Sequence, residues 1–338
     1  MSQAIEQATA VREIPYLVMV HHPEPAMVGL RLAVEDGEEL LLGRGENCFG
    51  EGVMMDDRLS RRHVVITRQD RTLTLADQAS RNGSMVNGRR VGIIQLKQGD
   101  VVGIGRVLLL VAWQPEGHVP PRHPRLVGDS AAMAGLIQSI TDAADDNDPV
   151  LFRGEIGVGR RTAAQELHRL TRKGTACGVF DCAGGHEPPW DRMVAKIGGG
   201  SLVLANVEHA GPKLQAKVLD SLQGPRSFRL MATTAGGLRG AAQRELFLPE
   251  LAEALTARTV RIPPLRHRPE DILPQAWHFA KEALRTDCHL SRRLALMVHL
   301  IRWPGNATEL REAMVRLIGE QPGETLLRAP TWLAGKLE

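Results

Sequence analysis

The sequence predicts a multidomain chain: an all-β sandwich first, then an α/β domain that ends in helices. Three observations carry that reading. Before residue 113 the apolar runs are short and broken by Gly, Asn and Asp. Residues 114–125 (QPEGHVPPRHPR) hold four prolines and no hydrophobic period. Beyond residue 126 apolar strands alternate with segments of helical spacing. At 338 residues the chain is long enough for two domains that each bury a core.

Residues 1–15 read as a polar N-terminal tail without the apolar stretch of a signal peptide. Tyr16–Val20, Gly29–Val34, Leu40–Gly43, His63–Thr67, Leu73–Ala76, Arg90–Leu96 and Val107–Trp113 favour strands. Asp36-Gly37, Asn82-Gly83, Asn87-Gly88 and Gly99-Asp100 punctuate them as turns. Short strands at regular spacing predict an antiparallel sandwich over 16–113. The segment 114–125 reads as a stiff proline-rich linker. Then come a helix over Ala131–Ala144, a strand over Pro149–Phe152, a glycine turn over Gly154–Gly159 and a helix over Arg161–Leu170. Ser201–Ala205 and Phe228–Ala232 read as buried strands flanking a helix over Gly211–Leu222, which predicts a parallel sheet over 126–262. From 263 to 338 the pattern is helical, with Ile272–Leu284, Arg292–Leu300 and Thr308–Leu317.

Composition excludes several classes. Net charge is only +3, which gives little support to a nucleic-acid binder, and direct DNA binding is not expected. Cys48, Cys177, Cys182 and Cys288 lack C-x-x-C spacing, so neither a disulfide framework nor a zinc site is expected. No apolar run approaches the roughly 18 residues of a membrane span, so a cytoplasmic protein without membrane partners is the expectation. The histidines are scattered without ligand spacing, and no metal site is expected.

Three loops between 43 and 88 carry the inventory of a phosphate-reading site: a guanidinium, hydroxyls and amides. They hold Gly43-Arg44, Ser60-x-x-His63, and Asp77-x-x-Ser80-x-Asn82-Gly83-Ser84 with Val86-Asn87-Gly88. With Gly99-Asp100 these elements, in this order, resemble a forkhead-associated (FHA) domain over about 16–113. The resemblance implies a β-sandwich that binds phosphothreonine peptides through loops at one end. It further implies that Arg44, Ser60, Arg61, Asn82 and Ser84 bind the phosphopeptide. Arg44 offers a planar fork to phosphate oxygens, Ser60 a hydroxyl, Arg61 added charge, and Asn82 an amide that grips peptide backbone. Ser84 stands where the family usually has Thr. His63 braces its own loop. The implied counterparts are a phosphothreonine-containing protein and the Ser/Thr kinase that makes it.

The second half has a glycine loop between strand and helix: Gly154, Gly157 and Gly159, followed by Arg160. That is a P-loop context, where backbone amides and a helix N-terminus cradle phosphate. Leu126-Val127-Gly128-Asp129-Ser130, Gly199-Gly200-Ser201, Gln215-Ala216-Lys217, Pro263-Pro264-Leu265-Arg266-x-Arg268-x-Glu270-Asp271 and Trp303-Pro304-Gly305-Asn306 surround it. Residues 126 to about 320 thus resemble the AAA+ domain of sigma-54-dependent transcriptional activators, an α/β P-loop-type domain with a helical lid.

Against that pattern the catalytic positions differ. Arg160 stands where the family's loop ends in Lys. Ala205-Asn206 replaces the Asp-Glu that anchors magnesium and activates water. Ala235 and Thr308 fall at the two sensor positions. The segment from Phe247 to Leu255 lacks the family's arginine fingers. Phosphoryl transfer depends on positioned charge, so the expectation is a degenerate nucleotide-binding loop, no ATPase activity, no catalytic residues and no required cofactor. The stretch His186-Glu187-Pro188-Pro189-Trp190 holds no GAFTGA sigma-contact loop, and the residues after Leu317 are expected to hold no helix-turn-helix. The sequence therefore reads as a phosphothreonine-dependent scaffold with a pseudo-ATPase domain in Ser/Thr-kinase signalling. Assembly with other AAA+ subunits stays open, as does the alternative of an FHA-regulated sigma-54-dependent regulator that still binds ATP.

Overall fold

The structure is a computed structural model that describes residues 12–184 and 190–337. The tail up to residue 11 and the segment 185–189, which carries most of the stretch from His186 to Trp190 read as lacking a sigma-contact loop, lie outside the described residues.

The first half is a two-sheet sandwich. Its strands are β1 (Glu13–His21), β2 (Arg31–Ala33), β3 (Glu39–Leu42), β4 (Val64–Gln69), β5 (Thr72–Asp77), β6 (Ser84–Val86), β7 (Arg89–Val91), β8 (Ile93–Leu96), β9 (Val101–Ile104) and β10 (Val107–Pro115). One sheet has the order β2-β1-β10-β9-β6-β7 and the other β3-β4-β5-β8. All pairs are antiparallel. The tail assigned to 1–15 is corrected at its end, because β1 already begins at Glu13 and pairs with Pro115. The single strand read over Arg90–Leu96 is two strands that belong to different sheets and break at Gly92. Asn87 and Gly88, both at positive φ, close the two-residue turn between Val86 and Arg89.

The second half opens with helix α1 (Ala131–Asp142), capped by the Ser130 hydroxyl on the Met133 amide. A parallel sheet follows, with strands β11 (Val150–Arg153), β12 (Cys177–Asp181), β13 (Ser201–Ala205), β14 (Arg229–Thr234) and β15 (Thr259–Arg261). Their order is β12-β13-β14-β11-β15. Helices α2 (Arg160–Thr171), α3 (Trp190–Ile197), α4 (Pro212–Gln223), α5 (Leu238–Gln243) and α6 (Pro249–Thr256) connect and cover these strands. Fully buried runs such as Leu202–Ala205 read as parallel strands because helices cover both faces. The short β12 and β15 escaped the sequence reading. A helical unit of α7 (Ile272–Leu284), α8 (Arg292–Leu300) and α9 (Asn306–Glu320) completes the chain, with β16 (His289–Leu290) paired to β17 (Leu326–Leu327) and a last turn α10 (Thr331–Ala334).

The sandwich and this lid share one core. Along β10 the side chains alternate: Val107, Leu109 and Val111 enter the sandwich interior, while Leu108, Leu110 and Ala112 join Val18 and Val101 against Leu294, Met297 and Val298 of the lid. The proline-rich segment is packed down as well. His118 Nε2 reaches the Asp129 carbonyl at 2.9 Å and His123 Nε2 lies 3.2 Å from Glu166.

His299 of α8 is buried at this junction, with Nε2 3.2 Å from the Gly99 carbonyl and Nδ1 without a partner. Burial pushes its pKa down to about 4. The unfolded chain therefore binds this proton near pH 6.5 while the folded chain does not, so stability is full above that value and is lost as pH falls toward 4. The loss from this one residue is about 3 kcal/mol. Urea melts of wild type and His299→Gln between pH 7 and 4 are expected to converge as the pH falls.

Candidate functional site

The three sandwich loops meet at one end because backbone bonds tie them together. The Arg44 amide donates to the Ser60 carbonyl at 3.0 Å and the Gly45 amide to the Arg61 carbonyl at 3.3 Å. This approach requires glycine at 43, since a Cβ there would sit 2.1 Å from the Arg61 oxygen. The Arg81 amide donates to the Ser60 hydroxyl oxygen at 3.0 Å, which leaves the Ser60 proton free to give. Asn82 donates its side-chain amide to the Arg58 carbonyl at 2.7 Å, which leaves its carbonyl oxygen available as an acceptor.

His63 is buried behind Ser60. Its Nδ1 accepts from the Ser60 amide at 3.0 Å, so Nε2 carries the proton and lies 3.3 Å from the Gly83 carbonyl. Burial lowers its pKa, which keeps the ring neutral and this arrangement fixed. Asp77 gathers the third loop by accepting from the Ser80 amide at 2.9 Å, the Ser80 hydroxyl at 2.6 Å and the Ser84 hydroxyl at 2.5 Å.

Arg44, Arg61 and Asn82 are exposed and Ser60 is half-buried, so these four stand together on one accessible surface. Ser84 is a correction. It is fully buried and spends its hydroxyl on Asp77, so it braces the loop and does not face a ligand. Arg81, which the sequence reading passed over, is exposed beside Ser60. No carboxylate lies within ion-pair distance of Arg44, Arg61 or Arg81 among the described residues. Unpaired guanidinium groups around a free hydroxyl suit a dianionic phosphate.

The glycine loop of the second half is pinned to the lid. Thr308 donates its amide to the Gly157 carbonyl at 3.1 Å, and Asn306 its side chain to the Ile156 carbonyl at 2.9 Å. Glu155 pairs with Arg266 at 2.5 and 2.7 Å, which holds its carboxyl down at about 2. Gly157 has φ +80° and a Cβ there would lie 2.0 Å from the Gly305 oxygen, and a Cβ at Gly154 would lie 2.7 Å from the Ile262 oxygen. Gly159 (φ +103°) caps α2 and opens with Thr162 onto a cavity of about 420 Å³ between α1, α2 and the lid.

Arg160 turns to Asn206, with Nη2 3.1 Å from the Asn206 carbonyl oxygen, and Asn206 in turn donates to Asp181 at 2.9 Å. Thus the two residues read from the sequence as standing at the lysine and Asp-Glu positions bond to each other. Sequence reasoning missed two groups here. Glu208 accepts the Ala235 amide at 2.8 Å and leaves its other oxygen buried without a partner. Arg311, one turn beyond Thr308, lines the cavity and lies 3.5 Å from Glu282. Among the described residues no cluster of three His, Cys, Asp or Glu could hold a metal, and no helix is long and apolar enough to cross a membrane.

Family comparison separates the same two units. One model, described as FHA domain, matches residues 40–105, and another, described as Sigma-54 interaction domain, matches residues 127–265. The chain joins an FHA domain to a sigma-54 interaction domain. It is similar to the nitric oxide reductase transcription regulator NorR1 of Cupriavidus necator, with 31% identity over 243 residues, 60% of this chain and 46% of that protein. It is also similar to the C4-dicarboxylate transport transcriptional regulatory protein DctD of Pseudomonas aeruginosa, 32% identical over 230 residues, 57% of this chain and 50% of that one. The chain therefore spans about half the length of these curated relatives. The crystal structure of NtrX from Brucella abortus in complex with ADP shares the fold, with a TM-score of 0.55 at 24% identity over 63% of this chain and 55% of that chain. The sigma-54 interaction match ends at residue 265, where the lid begins.

Proposed function

We propose that this chain is a phosphothreonine-dependent binding protein whose sigma-54 interaction domain serves as a non-hydrolysing scaffold. The observation that carries the reading is the contrast between its two phosphate-type loops. Around Arg44, Ser60, Arg61 and Asn82 the groups are accessible and the charges unpaired, whereas Arg160 is half-buried, with Nη2 on Asn206 and Nη1 shut away without an acceptor, beside Ala205. Without a carboxylate at 205 or 206, magnesium loses its protein anchor and water its base there. The reading takes 16–113 as the binding unit and 126–338 as the scaffold with its lid, and places the protein in Ser/Thr-kinase signalling in the cytoplasm.

The test is binding of the full chain to an array of phosphothreonine peptides beside their unphosphorylated forms. Retention that depends on phosphate supports the reading, and equal retention of both forms sinks it. Phosphate release from Mg-ATP at high protein concentration is expected to equal that of Arg160→Ala. Turnover lost in that variant overturns the non-hydrolysing part.

A second reading keeps the chain a sigma-54-dependent transcriptional regulator that binds ATP. It is favoured by the cavity beside Gly157 and Gly159 and by the relatives, which are named as transcriptional regulators. Stabilisation in a thermal melt on adding ATP favours it.

A further inference from the structure

A second cavity, of about 470 Å³, lies between the FHA domain and the lid. Its volume falls in the range of about 300–1,000 Å³ usual for small-molecule sites. Val20 and Val28 on the sandwich side face Leu273, Trp277 and Leu326 on the lid side. The Trp277 ring is a purely apolar wall there, because its N–H is already given to the Cys288 carbonyl at 2.8 Å.

One end of the cavity is different. Ser291 and Arg292, which open helix α8, form it. Ser291 accepts the Leu294 amide on its hydroxyl oxygen at 3.3 Å and keeps its own proton to donate. The N-terminus of α8 adds positive partial charge at the same place. Arg292 is half-buried, its Nε is buried without an acceptor, and no carboxylate pairs with it among the described residues. The nearby carboxylate of Asp56 is occupied by the amides of Arg58 and Arg106 and by the Arg106 guanidinium. Burial, and then the charge of Arg58, push the Arg292 pKa down, and the charge of Asp56 offsets this only in part. No Asp or Glu lines the cavity; His21, His22 and His289 do. A half-buried guanidinium of this kind is stabilised when a ligand brings the missing charge.

We propose that this interdomain cavity binds a small amphipathic monocarboxylate, with its apolar body between Val28 and Trp277 and its carboxylate on Arg292 and Ser291. A single guanidinium fork matches one carboxylate in bidentate geometry, and the dry walls select an aliphatic or aromatic tail. The cavity shares no lining residue with the FHA loops or the glycine loop.

The test uses the full chain in titration calorimetry with octanoate and 4-phenylbutyrate, beside 4-phenylbutan-1-ol and 4-phenylbutylamine. At least one carboxylate is expected to bind saturably at one site, at least tenfold more tightly than the alcohol, with no binding of the amine. Arg292→Met is expected to abolish that tenfold preference. Val28→Trp, a half-buried position at the sandwich wall, is expected to fill the cavity and abolish binding of all probes while the thermal melt stays cooperative. Absence of saturable binding by both carboxylates in wild type overturns the proposal. So does equal affinity for acid and alcohol, or carboxylate binding that Val28→Trp leaves unchanged. Should Arg292→Met fail to fold, the acid-to-alcohol ratio in wild type and the Val28→Trp result decide.

Discussion

Arg44→Ala is expected to lower affinity for a phosphothreonine peptide about 100-fold while leaving the thermal melt of the chain nearly unchanged. The size follows from the chemistry. A guanidinium that meets phosphate oxygens makes charge-assisted bonds, each contributing about 1.5–3 kcal/mol, and 1.4 kcal/mol is tenfold in affinity. The unchanged stability follows from the position. Arg44 is exposed and its side chain pairs with nothing among the described residues, while the backbone bond that fixes the loop, from its amide to the Ser60 carbonyl, survives truncation at Cβ. Ser60→Ala is the graded companion, since it removes one neutral hydroxyl and also the acceptor of the Arg81 amide. Fluorescence anisotropy with a labelled phosphopeptide reads both. An Arg44→Ala protein with wild-type affinity removes the phosphate-binding reading of these loops.

The residues of this candidate site can be proposed from the sequence because each contributes a chemistry that its loop position exposes: a fork after a glycine, a hydroxyl before a bracing histidine, an amide in an Asn-Gly turn. Ser84 shows the limit of such reading. A hydroxyl in a loop motif looks equally able to meet ligand or to serve the loop, and only the distance to Asp77 and the full burial decide. The two domains were legible too, from the change in hydrophobic period. Their union was not. The signal was present in Val107-Leu108-Leu109-Leu110-Val111-Ala112, an apolar run with no alternation, whereas β4 and β5 of the other sheet alternate. Antiparallel strands with one wet face alternate, and a strand apolar at every position is covered on both faces. In β10 the second cover is the lid. The same packing places His299 on Gly99 and encloses the second cavity, neither of which has a local signature in the chain.

Asp271→Ala is expected to destabilise the whole chain by about 3–5 kcal/mol, the usual cost of removing one partner of a buried ion pair. Asp271 is fully buried beside Arg268, which is itself 2% exposed, at 3.3 Å. Its other contacts reach across the sequence. One oxygen accepts the Asp129 amide at 2.7 Å and the Ser130 amide at 2.8 Å, and the other accepts the Ser130 hydroxyl at 2.9 Å. Gly128 is held so close that a Cβ would lie 2.5 Å from this carboxylate. Through the Asp129 carbonyl, which accepts from Arg31 at 3.1 Å, the FHA domain joins the same knot, and Gln98 reaches the neighbouring Glu270 at 2.9 Å. Lid, α1 and sandwich therefore meet at one carboxylate. Burial drives the Asp271 pKa up and the Arg268 pKa down, so each charge is tolerated only because the other is present. Removing Asp271 alone leaves a buried guanidinium and three donors without an acceptor. Replacing both charges, in Arg268→Met with Asp271→Asn, removes the isolated charge and keeps an acceptor for the Asp129 and Ser130 donors. Urea unfolding of the three proteins is the measurement: the double variant is expected to be more stable than Asp271→Ala, and the reverse order would show that the knot is held by something other than charge pairing.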